Sequence, residues 1–263
     1  MPICFESFMG NRNDKTAIFT NMLQSDMDKA EDAYASDDKK NIHLIKYLIN
    51  KKDNKKIGKI IYTMKVREKE IEFLDADVIF TNENKINLKF LNKLEQSTEG
   101  TCYYEVENEN GGQHFEIQAI NFFKIGENLS NTIQNVSLSV LPFQLSVYES
   151  IEELNNELGF SEPINVGNTD LTVHGFGEDF IGVGSLLLKD SNEPSTFLIG
   201  KVKDYEYIDT TIGNTDVEFL IIYLETGIGT VPVVAPTNDY FDLRRLKKGS
   251  ILGIFADVKA DLS

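Results

Sequence analysis

From Ile42 onward the chain is cut into short segments of β-branched, aromatic and aliphatic residues, each bounded by polar or glycine-bearing turns. Segments this short, punctuated this often, cannot complete amphipathic helices and read as strands. In the first half they cover residues 42–49, 57–66, 71–80, 102–107 and 115–123, with turns at 52–56 and 110–112. Consecutive strands joined by tight turns predict an antiparallel meander. Residues 86–94 are open to two readings: Leu88, Leu91 and Leu94 suit a helix, whereas Ile86, Leu88 and Phe90 alternate as in a strand. Residues 136–147 continue the strand texture around Pro142.

Two stretches read as helices. Over 14–35, Asp14 is the N-cap, and Phe19, Leu23, Met27, Ala30 and Tyr34 fall on one face. The run Ser150-Ile151-Glu152-Glu153 has the capping-box pattern, Ile151, Leu154 and Leu158 form an apolar stripe, and Gly159 is the stop. Beyond it the chain is glycine-punctuated, with strands predicted at 171–174, 181–188, 196–203, 217–224, 230–235 and 250–258. Gly182, Gly184, Gly200 and Gly253 fall inside these strands, where glycine marks a bend or bulge. Short bent strands suit a small barrel of OB- or SH3-like shape. The expected fold class is therefore α+β, predominantly antiparallel β, in two domains. Residues 1–148 would form an N-terminal helix plus β-meander, and residues 149–263 a helix plus the small barrel.

Charge separates the two parts. Residues 1–150 hold 18 Lys/Arg and 23 Asp/Glu, and residues 151–263 hold 8 and 19. The whole chain carries −16. Such a polyanion is repelled by phosphate backbones and anionic membrane faces, which disfavours nucleic-acid and membrane partners and favours another protein, basic in character. Cys4 and Cys102 are too few for a disulfide framework. The opening Met1-Pro2-Ile3-Cys4 lacks the basic and apolar regions of a secretory signal. The longest apolar runs, such as Phe219 to Leu224, fall far short of the roughly 18 residues of a membrane span. A cytoplasmic location is expected.

No motif names a function. No zinc-type spacing of His and Cys is present, and no cofactor is expected. The candidate acid–base residues are His174, Glu178 and Asp179, beside the glycines at 175 and 177. That loop lacks both the dinucleotide fingerprint and the Gly-Lys-Ser/Thr ending of a phosphate loop. Candidate cation ligands are Glu105, Glu107, His114 and Glu116, which strand alternation around the turn at Gly111-Gly112 places toward one face; the competing reading is a solvated outer face. Two basic stretches interrupt the acidic background. From Lys39 to Glu70, eleven Lys/Arg stand against Asp53, Glu68 and Glu70, as expected of a solvated or edge-protecting sheet face. The second, Arg244, Arg245, Lys247 and Lys248, is the candidate binding patch. In a nucleic-acid-binding barrel it would grip phosphates while Tyr205, Tyr207, Tyr223 or Tyr240 stacked on bases. Three readings are thus open: a non-catalytic protein that sequesters or neutralises another protein, an enzyme at the His174 loop, and a single-strand-binding barrel. The scarcity of catalytic-type residues favours the first.

Overall fold

The computed structural model describes residues 30–35, 42–51, 53, 55–67, 70–80, 85–94, 102–109, 111–120, 129–160, 163–166, 169–172, 175–177, 183–186, 195–212, 215–237 and 241–262. They form fifteen strands and one short helix. β1 (Ala30–Ala35), β2 (Ile42–Asn50), β3 (Lys56–Arg67) and β4 (Glu70–Phe80) make a four-stranded antiparallel meander in sequential order. Residues 30–35, predicted as the end of a helix, are strand β1, paired to β2 through Ala30↔Tyr47 and Ala35↔His43. Pairing to β2, with a register shift between Glu31 and Tyr34, makes this segment a strand. Residues 14–29 of that predicted helix lie outside the described residues.

The second sheet has nine strands. From the first half of the chain it takes β5 (Ile86–Lys93), β6 (Cys102–Asn108), β7 (His114–Ile120) and β8 (Thr132–Tyr148). From the second half it takes β11 (Val183–Leu186), β12 (Ser195–Ile212), β13 (Thr215–Thr226), β14 (Gly229–Pro236) and β15 (Ile251–Asp261). β9 (Pro163–Val166) and β10 (Thr169–Thr172) form a separate two-stranded ladder. Residues 86–93 are strand, so the alternating reading of Ile86, Leu88 and Phe90 prevails: Leu88 and Phe90 point into the core.

The large sheet closes on itself twice. β15 pairs along one edge with β8, from Ile251↔Tyr148 to Asp261↔Ser137. Its other edge is shared end to end, by β12 at Ile251–Ala256 and by the parallel β7 at Lys259–Asp261. One circuit runs β12-β13-β14-β8-β15 and the other β8-β15-β7-β6-β5, and the β8–β15 ladder belongs to both. Strands from both sides of residue 148 thus share one core. Leu252, Ile254, Ala256, Val258 and Ala260 of β15 all point into it, with Leu220, Ile222 and Leu224 of β13 and Phe115, Ile117 and Ala119 of β7. At the junction of β12 and β7, the Thr196 hydroxyl donates to the Glu116 carbonyl at 2.7 Å and accepts from the Glu116 N–H at 3.2 Å. The closure between β14 and β8 is one residue pair long, Val233↔Val140. Pro232 and Pro236 on β14 and Pro142 on β8 have no N–H to extend it.

The run Phe219 to Leu224 is continuously apolar because β13 is buried on both faces. Its even residues fill the inner core, and Phe219 and Ile221 pack outward against Ile60, Tyr62 and Met64 of β3 and Val78 and Phe80 of β4. The Phe80 and Phe219 rings lie 5.0 Å apart. Gly200 is required where β12 and β13 approach, since a Cβ there would sit 2.5 Å from Leu224 Cγ and 2.6 Å from the Glu225 carbonyl. The expected helix is present as α1 (Ile151–Glu157), capped by Ser150, whose hydroxyl accepts from Glu153 N–H at 3.2 Å. Gly159 takes the left-handed conformation at φ 74°.

The other side of the β3–β4 hairpin is buried too, and it is polar. Lys59, expected on a solvated face, is buried against Asp261, and Lys259 against Asp77. Gln118 joins the second pair, donating to Asp77 at 2.9 Å and accepting from Lys259 at 2.8 Å. Ile61, Ile79 and Ile120 pack beside them. Buried ion pairs fix how two surfaces meet more than they stabilise them, because desolvation offsets most of the attraction. We expect Lys259→Met to destabilise the fold by about 3–5 kcal/mol, and the double change Lys259→Met/Asp77→Leu to recover most of that. Urea unfolding of both variants checks this, and a double variant as unstable as the single one would contradict it.

Candidate functional site

The predicted site residues are placed unequally. His174, Glu178 and Asp179 lie outside the described residues, as does Tyr240. The four acid- and imidazole-bearing residues do share the outer face of β6 and β7. Glu105 stands opposite Glu116, and Glu107 opposite His114. His114 Nε2 is 3.3 Å from Glu107 and its Nδ1 3.8 Å from Glu105. Neighbouring β5 supplies partners to two of these carboxylates: Lys89 Nζ lies 2.6 Å from Glu107, and Asn92 donates to Glu105 at 3.0 Å. The Lys89 hydrogen bond holds the Glu107 carboxyl below its usual range, with the Lys89 charge and His114 adding to it. Among the described residues no three His, Cys, Asp or Glu side chains converge closely enough to hold a metal ion.

Glu116 differs from its neighbours. Its Oε2 is buried with no hydrogen-bond partner, and burial, then the nearby Glu105 charge, raise its pKa.

Arg244, Arg245, Lys247 and Lys248 come together on the loop before β15, and acids face three of them. Arg244 holds Asp242 through two contacts, at 2.8 and 2.7 Å, which pulls the Asp242 pKa down to about 2. Arg245 bonds Glu153 of α1 at 2.8 Å and Lys248 lies 2.8 Å from Asp204 of β12. Arg245 thereby ties the loop to the helix and Lys248 ties it to the strand. Each would have to leave a carboxylate before it gripped a phosphate.

Two further features escaped the sequence. A cleft of about 430 Å³ opens between the start of β5, the end of β6 and the β13–β14 turn, lined by Lys85, Asn87, Asn108, Glu109 and Thr230. Asn87 donates to Glu109 there at 2.8 Å, while the buried Asn108 Oδ1 accepts no hydrogen bond.

The second is the outer edge of β12. β15 pairs that edge only as far as Lys201, and Val202 then exchanges backbone hydrogen bonds with Ser250 and Gly249 at 2.8 Å each. From residue 203 to 211, no strand among the described residues pairs it. The other edge stays bonded to β13 as far as Ile212↔Thr215. The bulge between Val202 and Asp204 lets the Asp204 carboxylate accept the Tyr205 N–H at 2.9 Å, so Tyr205 is turned away from β13. Alternation then aims the backbone groups of Tyr207, Asp209 and Thr211 outward. The prolines agree. Pro232 and Pro236 stand opposite Tyr223 and Phe219, whose backbone groups therefore serve Asp204 and Ile208 on the other side.

The side chains follow the same alternation. On the even face Ile208 is buried, and Glu206 is held by Lys51 at 2.6 Å and by the Tyr223 hydroxyl at 2.7 Å. On the odd face Tyr205 packs against the core and meets Tyr207 edge-on at 6.2 Å, while Tyr207 is 72% exposed. The sequence signalled this only as a pair of tyrosines two apart. That their strand outruns its neighbour is a property of pairing over distant parts of the chain.

No protein-family model, curated protein or solved structure matches the chain. No helix among the described residues is long and apolar enough to cross a membrane.

Because the Glu116 pKa is raised, its contribution to stability is greatest in acid and is lost as pH rises through its folded-state pKa. Glu116→Gln should therefore raise the melting temperature at neutral pH, with the gain fading below pH ~4 as the native carboxyl also becomes neutral. A variant less stable than the native chain at pH ~7 would show instead that the charged carboxylate has a partner in solution.

Proposed function

We propose that this is a non-catalytic binding protein that takes an extended segment of another protein as an added strand along the outer edge of β12. One observation carries the reading: among the described residues no strand pairs the outer edge of β12 at Tyr207 and Thr211, next to the exposed Tyr207 ring. Strand addition draws affinity from main-chain hydrogen bonds and specificity from alternate side chains. Here the alternate residues are Lys203, Tyr205, Tyr207, Asp209 and Thr211. They suit a partner segment with an aromatic or β-branched residue opposite the tyrosines. The overall charge of −16 favours approach of a basic partner. In this reading the C-terminal circuit is the small OB- or SH3-like barrel that keeps the edge rigid, and the protein acts in the cytoplasm, holding its partner without transforming it.

Edge strands tolerate proline where the N–H faces outward, so Tyr207→Pro removes an edge donor and leaves the β13 ladder in place. We expect capture of a stoichiometric protein from native lysate by the tagged protein, and a loss of about tenfold or more with Tyr207→Pro, from one to two edge hydrogen bonds of about 1 kcal/mol each. Equal capture by both forms, or capture of nucleic acid alone, would overturn the reading.

A further inference from the structure

We infer that the cleft between the start of β5, the end of β6 and the β13–β14 turn binds an alkylammonium, a primary ammonium group on an aliphatic stem. Its volume of about 430 Å³ has room for a short stem and its head group. The cleft shares no residue with the β12 edge, so the inference stands whether or not a strand is added there. The rim carries one carboxylate, and the chain holds that carboxylate in place while leaving half of it unused. Asn135 donates to the Asn87 carbonyl at 2.6 Å, and Asn87 donates in turn to Glu109 Oε2 at 2.8 Å. Both ends of the Asn87 amide are thus engaged in fixing Glu109, and the second carboxylate oxygen, Oε1, is left as an acceptor.

The wall beneath the rim is short of donors. Asn108 Oδ1 is buried there without a hydrogen-bond partner. Gln113 stands opposite Asn108 across the β6–β7 hairpin, where its carbonyl accepts the Asn108 N–H at 3.3 Å, and its side-chain Oε1 is buried without a partner too. Two amide oxygens without donors leave a negative potential in surroundings of low dielectric, which a nearby cation offsets and an anion worsens. This effect needs no direct bond from the ligand to either oxygen. Lys85, the cation among the lining residues, already makes an interaction within the chain. Ile86 and Ile228, each only partly buried, supply apolar surface for the stem. The charge of −16 draws cations toward the whole molecule, and the fixed carboxylate beside an apolar wall selects this place for one that carries a stem.

Titration of the full chain with pentylamine, read residue by residue by NMR at about 0.15 M salt to screen diffuse attraction, tests the site. Saturable shifts should concentrate at Ile86, Asn108, Glu109 and residues 227–230. Pentanol, which has the same stem without the charge, and pentanoate, which has the opposite charge, should leave these residues unmoved at equal concentration. Glu109→Gln should weaken pentylamine binding about fivefold, whereas Glu152→Gln, which removes an exposed acid on α1, should leave it unchanged. Shifts scattered over the acidic surface, equal losses in the two variants, or an equal response to pentanol would overturn the inference. A free polyamine and a lysine side chain of a partner protein both carry this group. Glu109-dependent binding that is tighter for spermidine than for N-acetyl-lysine amide assigns the site to the polyamine, and the reverse order assigns it to the lysine.

Discussion

The β8–β15 ladder holds the molecule together. It is the one strand pair that belongs to both circuits of the large sheet, and its two strands come from distant parts of the chain. Because β15 gives one edge to β8, its other edge must serve both β12 and β7, one after the other. β12 is much longer than the part of β15 it meets. The remainder of β12 therefore runs on with β13 on one side and no described strand on the other. That no described strand pairs the 203–211 edge follows from that mismatch in length, and the Val202–Asp204 bulge with its Asp204 carboxylate marks where pairing with the described strands stops.

The exposed half of β12 is nonetheless well supported. Its even face is fastened to the meander through Ile208, through Glu206 with Lys51, and through the Thr210 hydroxyl donating to the Asn50 carbonyl. β13 backs it along its whole length, and β13 is buried on both faces between two apolar clusters. Such an edge is presented in a fixed geometry, so an incoming strand does not pay for ordering it. Most soluble proteins shorten, cover or charge an edge like this. Here Asp204 caps the first donor and Lys203 and Asp209 stand nearby, while the middle carries Tyr207.

Local sequence foretold the elements better than their assembly. Alternation and turn residues located β2, β3, β6, β7 and β13, and the Ser150 box located α1, because these depend on neighbours within a few residues. The helix predicted through Ala30 and Tyr34 failed over 30–35, since pairing with β2 is a distant event that spacing does not reveal. Lys59 was expected in solvent because lysine usually is. Its burial depends on Asp261, about two hundred residues away in sequence. The carboxylate and imidazole face of β6 and β7 was legible from alternation, but the pairing of Glu107 with Lys89 and of Glu105 with Asn92 of β5 was not. The basic loop was legible as a charge run, and its pairing with Glu153 and Asp204 became visible only in three dimensions.

Residue-resolved amide hydrogen exchange on dilute, monomeric protein tests the open edge most directly. Along 206–211 the account predicts alternation: slow exchange at Glu206, Ile208 and Thr210, bonded to β13, and fast exchange at Tyr207 and Thr211. Uniformly slow exchange in the monomer would show that the chain already covers its own edge, and would contradict the account.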